Sequence, residues 1–457
     1  MTAPTVKTPP KAFELAVETL IIGAGACGLI AALAANEAGQ EVLVIEADAV
    51  PSGSTALSAG LIPAAGTRMQ QAAGIKDSPA QFAADIQAKA HQENNQSLVD
   101  LLTQNAAPVI DWLTETHGLP FSLVDDFDYP GHSSRRMHGL PTRAGSELID
   151  ALRSAAESAG IDIICERRAE TLYFADGFVR GIAARRPDEG IENIGCDRLI
   201  LACNGFGGNR ALVSKHMPEI EDGLWFGHDG NRGEVVLWAD QIGAATEHLG
   251  AFQGHGNVAH PHGILITWAT ITEGGVQVNA SGERFWNEAQ GYSEAARAVL
   301  SQPYGKAYTI FDGRIAAIAR QFEDFKRAEA TGAIKSAETL DDLAQALGLP
   351  ARTLSKTISN LPQNSIDHFG RTFGETVLKP PYCGVRVTGA LFHTQGGLRV
   401  DTSARVISRN GNAIPNLYAG GGAACGVSGS ADSGYLSGNG LLAAAVLGHI
   451  AGSGTFS

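Results

Sequence analysis

Two apolar runs near the start of the chain bracket a stretch of helical period. Leu20 to Ile22 lead into Gly23-Ala-Gly25-Ala-Cys-Gly28, an Ala- and Leu-rich segment follows, and the run Glu41 to Ile45 is closed by Glu46. Short β-type runs on either side of a helical segment predict a βαβ unit. The glycines play separate parts in such a unit. Gly23 permits the tight strand-to-helix turn, Gly25 lets backbone approach a pyrophosphate, and Gly28 lets the helix pack close to the strand. The helix start offers unpaired N–H groups and a positive dipole end to phosphates. Glu46, about 20 residues on, suits a pair of ribose hydroxyls and would repel a 2′-phosphate. Gly23, Gly25, Ala26, Gly28, Glu46 and Ala47 are therefore expected to hold a dinucleotide.

Beyond this unit, Ser52 to Gly66 is rich in Gly, Ser and Ala, which allows close backbone approach to a ligand. Helical patterns run through Pro79–His117, with the proline where a helix can start, and again through Gly145–Ala159, after a polar, turn-rich stretch at Asp125–Arg143. The runs IDIIC, TLYFADGFVRGIAAR and DRLILACNGFG read as β-meander strands followed by a strand returning to the first sheet. Near Ala245 the texture changes to aromatic and His-rich segments. Helices are expected from Ser293 to about Leu361, the last two joined at Leu349-Pro350. Gly396–Val406 and Asn416–Ala451 return to Gly-rich strands and a final Ala/Leu/Val helix. The pattern predicts a discontinuous α/β dinucleotide domain (16–245 and 386–457), an inserted cap (246–385) and a flexible N-terminus (1–15).

Composition removes several function classes. A formal charge of −14 over 457 residues argues against nucleic acid and anionic membrane surfaces as partners. Six cysteines, at 27, 165, 196, 203, 383 and 425, are scattered singly with no CxxC, so no metal or iron–sulfur site is expected, and several, in apolar strand-like runs, read as inert buried thiols in a reducing compartment. The N-terminal residues lack an apolar signal core and no apolar run reaches membrane-spanning length, so a cytoplasmic location is expected.

Motifs continue in order along nearly the whole chain: GAGACG with Glu46, SGSTALSAG (Ser52–Gly60), LILACNGFGGN (Leu199–Asn209), RGEVVLWADQIGAA (Arg232–Ala245), GVQVNASGERFWNE (Gly275–Glu288), HTQGGLRVD (His393–Asp401), and NLYAGGGAACGV followed by SGNGLLAAAVLGHIAG. The chain thus resembles the family of fumarate reductase and succinate dehydrogenase flavoproteins and 3-ketosteroid dehydrogenases. The resemblance implies an α/β fold: a Rossmann-like FAD-binding domain (parallel sheet plus β-meander) with an inserted α+β cap or catalytic domain. It implies FAD as cofactor, non-covalent because no histidine occupies the loop position where some relatives attach the flavin. Ser54, Thr55, Ser58, Ala59, Gly60, Ala202, Asn204, Gly205, Asn209, Gly420, Gly421, Ser437, Gly438 and Leu441 are the further cofactor-binding residues it implies.

At the substrate positions the resemblance splits. His255 and His393 match two substrate histidines of the family. Where members acting on fumarate or succinate carry a glutamate and an arginine, this chain has Trp268 and Ile271; their proton-donor arginine falls on Tyr292, and their carboxylate-clamping arginine on Tyr435. Tyrosine does not replace a bidentate guanidinium. The tyrosines are similar to those of the ketosteroid branch, in which one removes a proton and another hydrogen-bonds the ketone together with a backbone N–H four residues later. Here those are Tyr292, Tyr435 and the N–H of Asn439, with Tyr129 at a looser match and Trp268 as pocket wall. The expected chemistry is α,β-dehydrogenation of a cyclic ketone (a steroid, a cyclohexanone or an oxo-cyclohexane carboxylate), with hydride passing to flavin N5 and electrons to a further acceptor. Tyr292 needs a neighbouring donor to act as base, from Tyr129 or His255. Arg135 and Arg136 lie in a loop that either receives a substrate carboxylate or is a solvated face. Two alternatives are an ene-reductase of an unsaturated acid or enone and a flavin-bearing electron-transfer subunit.

Overall fold

In the computed structural model, which describes residues 4–125, 129–375 and 377–454, the apolar run Leu15–Ile22 forms the strand at the centre of the first unit. Val42–Ile45 pairs with it in parallel, and Asp162–Ile164 extends the sheet beyond that strand. On the other side lies the 11-residue strand Ile191–Leu201, whose two ends pair differently. Its first half pairs antiparallel with Phe178–Arg185, completing a meander with Arg168–Ala175. Its second half runs parallel both to Leu15–Ile22 and to Ala413–Ala419. One long strand thus carries the meander and the C-terminal segment into a single nine-stranded sheet.

Two nearly uniformly buried helices, Ala26–Glu37 and Asn439–Ser453, pack against one another. A Cβ at Gly448 would lie 2.5 Å from the Cys27 carbonyl, and one at Gly452 would lie 2.2 Å from that of Ala31. The buried Arg198 guanidinium donates to the carbonyls of Ala451 and Gly454 and lies 4.1 Å over the Tyr418 ring. A cation at a helix C-terminus answers its negative dipole end.

The second unit comprises Met217–Phe226 and Gln253–Phe392; the first comprises Met1–His216, Gly227–Phe252 and His393–Ser457. The divisions therefore fall at Phe252 and Phe392 rather than at 245 and 385. In the second unit, Tyr382–Thr394 pairs antiparallel with Lys306–Asp312, which pairs in turn with Val276–Val278. Ile310, Phe311, Phe325, Leu343, Leu354 and Val385 fill its core.

Three expectations need correction. Thr5–Lys7 is a parallel edge strand on Thr171–Tyr173, so residues 5–7 are not a flexible tail; residues 1–3 lie outside the described residues. The helical reading of Ser293–Leu361 is interrupted by the strands Lys306–Asp312 and Ile334–Ala337. KAYTIFD is buried on both faces over its second half, which erases the two-residue period. Pro79–His117 is two helices, Pro79–Lys89 and Gln96–Glu115, separated by His91 and Gln92 at positive φ. Among the described residues no helix is long and apolar enough to cross a membrane.

Candidate active site

The glycine turn of the first unit is built as its spacing implies. Gly23 sits at φ +103°, with the Ala202 carbonyl 2.6 Å from where its Cβ would be, and a Cβ on Gly28 would lie 1.8 Å from the Gly23 carbonyl. Gly25 differs. The nearest protein atom to a Cβ there is Thr55 Oγ1 at 3.6 Å, so packing does not demand glycine and the space is left for a ligand. The Ala26 N–H donates to Thr55 Oγ1 at 3.0 Å, and Glu46 accepts from Ala24 N–H at 2.7 Å and Asp48 N–H at 2.9 Å, which fixes the carboxylate beside the turn.

The Ser-rich loop becomes a one-turn helix, Gly53–Ala56. Ser54 Oγ accepts from Asn204 Nδ2 at 2.8 Å and from Asn231 Nδ2 at 3.0 Å, joining three segments. Ser58 Oγ donates to the Thr55 carbonyl and accepts from Gly60 N–H, while Ala59 is exposed. Gly205 and Gly420 are close-approach positions against Thr394 Oγ1 and Cys27 Sγ, and Gly421 has φ +55°. Asn209 fixes the start of the helix Arg210–His216, since its Oδ1 accepts from Leu212 N–H and its Nδ2 donates to the Arg232 carbonyl.

At the other end of this unit the chain turns through Ser437 and Gly438 (φ +89°) into the helix Asn439–Ser453, with Leu441 in its first turn. Tyr435 is buried, and burial pushes its phenol up to about 12; the backbone N–H groups of Gly440 and Gly438 face its oxygen and pull the other way. The expectation for Asn439 is corrected here. Its N–H donates to the Leu436 carbonyl at 3.1 Å, so the outward donor is one residue further, at Gly440. A Cβ on Gly440 would lie 3.9 Å from both Tyr435 Oη and His393 Cε1, which places phenol and imidazole over the same backbone.

His393 heads a buried side-chain chain that the sequence did not reveal. Gln395 Nε2 donates to His393 Nδ1 at 2.7 Å, Ser428 Oγ donates to Gln395 Oε1 at 2.9 Å, and Asn439 Nδ2 donates to Ser428 Oγ at 3.1 Å. An amide nitrogen only donates, so His393 keeps its proton on Nε2. Burial holds the imidazole down to about 4, hence neutral at physiological pH.

In the second unit the predicted residues form an aromatic stack. Gly291, at φ +133°, lets the chain turn into the helix Tyr292–Leu300, which Tyr292 opens. The strand bearing His255 runs flush against that helix, since a Cβ on Gly256 would lie 2.3 Å from the Ala295 carbonyl carbon. His255 stacks between Tyr292 (5.0 Å, 14°) and Phe392 (5.3 Å, 25°), and Trp268 meets its edge at 5.8 Å. Its Nδ1 accepts from Asn257 N–H, and burial pushes it down to about 3. His255 therefore supports Tyr292 by its ring face. Trp268, Ile271 and Trp286 complete an apolar wall.

Two buried arginines flank this wall and neither is available to an anion. Arg284 pairs with Glu288 and Asp367; Arg371 pairs with Glu288 at 3.1 Å and donates to the carbonyls of Gly275 and Ile271. In the first unit Arg136 is likewise committed, to Asp77 and Asp85, so the carboxylate role considered for it is corrected; Arg135 is exposed and donates to the Asp125 carbonyl. Tyr129 packs beside Leu61, Val124 and Met137 in the first unit. All six cysteines are free; Cys27, Cys196, Cys383 and Cys425 are buried, and burial raises each thiol. Spacing gave no metal site, yet the fold brings ligand atoms of Glu247, His248 and Cys425 within 4.8 Å of one another. Arg399 already pairs with Glu247 at 3.3 Å, so the group reads as a polar cluster.

Similarity to known proteins extends over nearly the whole chain. A family profile described as FAD binding domain matches residues 18–441. The chain is 30% identical to "Probable fumarate reductase Ifc3" of Shewanella frigidimarina (strain NCIMB 400), over 95% of this chain and 74% of that protein. It is similar to the open conformation of a flavocytochrome c3 fumarate reductase, with TM-score 0.82, 29% identity, and 97% of this chain and 78% of that one covered. It is also similar to a 3-ketosteroid-delta4-(5alpha)-dehydrogenase from Rhodococcus jostii RHA1, with TM-score 0.78 and 99% of each chain covered; at 23% identity that likeness carries the fold alone.

Proposed function

Because the chain belongs to the FAD-binding domain family and is an FAD-dependent oxidoreductase acting on carbon–carbon bonds, we propose that its reaction is the α,β-dehydrogenation of a cyclic ketone, or the reverse reduction of the enone. Its residues fit the cofactor: Gly25 keeps open a space that packing does not require, and Glu46 lies against the same turn. No histidine occurs in Ser52–Gly60, in keeping with non-covalent binding. When bound, FAD supplies the hydride acceptor or donor.

The observation that carries the reading is the replacement of anion-binding groups by phenols in an aromatic setting. Tyr435, protonated over the whole physiological range, donates a hydrogen bond to the ketone oxygen. The Gly440 and Gly438 N–H groups face the Tyr435 oxygen and strengthen its O–H as a donor, and the positive end of a 15-residue helix lies at the same turn, an arrangement suited to enolate-like charge. His393, with its proton on Nε2, supplies a further neutral donor. Tyr292, in its phenolate form, takes the α proton and becomes the neutral phenol, its ring held on His255 and Trp268. An α proton of a ketone is weakly acidic, so its removal needs the developing charge on the carbonyl oxygen to be stabilised. The aromatic wall selects an alicyclic substrate: a cyclohexanone, an oxo-cyclohexane carboxylate or a 3-ketosteroid. An electron acceptor outside the chain completes the cycle. Free thiols suit a reducing, cytoplasmic compartment.

Reduction of an unsaturated acid is the second reading, favoured by the identity to Ifc3. A reverse experiment separates the two. Dye-reduced holoenzyme is mixed anaerobically with cyclohexenone-type enones or with fumarate, and flavin reoxidation is followed. Rapid reoxidation by an enone with fumarate inert is expected; fumarate alone being effective would replace the ketone reading with the acid one.

A further inference from the structure

His132 stands in the same loop as Arg135 and Arg136, and its ring is wired on both sides. Nε2 meets the Ser437 carbonyl at 2.9 Å and Nδ1 meets Arg136 Nη1 at 3.3 Å. A guanidinium only donates. The lone pair is therefore on Nδ1 and the ring proton on Nε2, where it donates to Ser437. Arg136 is held in place from below. It bonds both oxygens of Asp77 at 2.8 and 2.9 Å, reaches Asp85, and lies 4.6 Å over the Phe82 ring. Asp85 accepts in turn from Ser133 N–H at 2.9 Å and Oγ–H at 2.7 Å.

The carbonyl of Ser437 and the N–H of Gly438 belong to one planar peptide and point in opposite directions. Anchoring the carbonyl on His132 turns the N–H the other way, and that N–H is one of the two backbone donors facing the Tyr435 hydroxyl. Gly438 sits at φ +89° and has no side chain to fix the peptide's orientation itself.

We infer that His132 is a positioning residue: held by Arg136 as the Nε2–H tautomer, it orients the Ser437–Gly438 peptide and so aligns the hydroxyl of Tyr435 that polarises the substrate carbonyl. This rests on the reading of Tyr435 as the carbonyl donor.

A para-substituted phenol tests it, because its phenolate presents a planar anionic oxygen like that of an enolate. Oxidised holoenzyme is titrated with the phenol and charge-transfer absorption is followed, with FAD content and melting temperature measured alongside. His132→Phe and Tyr435→Phe are each expected to weaken phenolate binding about tenfold or more, the loss that removing one aimed donor brings. His132→Gln, whose amide offers a donor at nearly the same reach, is expected to stay within about threefold of the parent, well under the tenfold that one lost donor bond represents. Should His132→Phe not fold, His132→Asn decides: equally polar but one carbon shorter, it binds phenolate more weakly than His132→Gln if the reach to Ser437 matters. Parent-level binding in His132→Phe, or equal binding in the Asn and Gln variants, overturns the role of His132. Parent-level binding in Tyr435→Phe instead removes the carbonyl-donor reading itself, so the two failures are distinguishable.

Discussion

The two units fix their candidate side chains by different physics. Around Tyr435 and His393 the side chains are fixed by hydrogen bonds, mostly between side chains: Gln395, Ser428 and Asn439 in one chain, Arg136 and His132 in another that ends on the Ser437 carbonyl. Around Tyr292 the fixing is by ring stacking, with His255, Phe392, Trp268 and Trp286 in contact and with Arg284 and Arg371 paired to Glu288 and Asp367. The proposed chemistry asks for such a difference. A carbonyl that becomes enolate-like needs aimed dipoles already in place. A proton acceptor and a hydrophobic ring need a shaped, dry wall.

The sharpest way to break that contrast is to remove each phenol. Tyr292→Phe removes the proposed base and is expected to slow flavin bleaching by a cyclic ketone by about 10²- to 10⁴-fold, the range of general base catalysis, with FAD still bound. Rapid-mixing absorbance reads this directly, and unchanged turnover takes Tyr292 out of the chemistry. Tyr435→Phe deletes one aimed donor and should cost about 10²- to 10³-fold in kcat with a smaller change in KM. A variant that loses only affinity would make Tyr435 a plain binding group.

Trp268→Ala addresses the stacked side alone. Truncating a buried tryptophan is expected to destabilise the fold by about 3 kcal/mol, read by urea unfolding, while FAD affinity is retained. Equal loss of FAD would mean that the wall and the cradle are not independent.

Acid sharpens the comparison further. His132, His393 and His138 (in the strand Met137–Gly139, its ring on Thr67) in the first unit are held down to about 4, and His255 in the second to about 3, mainly by burial. Each stays neutral in the folded chain where the unfolded imidazole takes a proton near 6.5. Their contribution is complete above about 6.5 and is lost as pH falls toward 4, or toward 3 for His255, at about 1.4 kcal/mol per pH unit for each histidine. Unfolding free energies measured across that window are expected to fall, and the slope should shrink in His132→Gln. A flat profile would mean these imidazoles are not held neutral.

The smallest expected effect on stability is that of Gly25→Ala. With nothing nearer than Thr55 Oγ1, the added methyl should change the apo protein's unfolding by no more than about 0.5 kcal/mol while weakening FAD binding. Destabilisation without loss of FAD would show that Gly25 serves packing.

How much of this was legible in the chain depends on distance along it. The βαβ unit, its glycines and Glu46 are local, and each appears where the spacing implies. Which N–H faces Tyr435 was not legible, because it depends on the Leu436–Asn439 turn consuming one donor and leaving the next. The Arg136–Asp77 and His393–Gln395 arrangements escaped for different reasons. One joins residues 59 positions apart; the other joins near neighbours, but its meaning depends on Ser428 and Asn439 arriving from elsewhere. The strand Lys306–Asp312 was hidden by burial on both faces, which leaves no period to read.

The central claim is that a polarised carbonyl, and not a pair of carboxylates, is what these phenols receive. Stopped-flow bleaching of oxidised holoenzyme tests it most directly, with saturated cyclic ketones and succinate compared at matched concentration under anaerobic conditions. Fast bleaching by at least one cyclic ketone and none by succinate is expected; bleaching by succinate with every ketone inert would replace the carbonyl with a dicarboxylate.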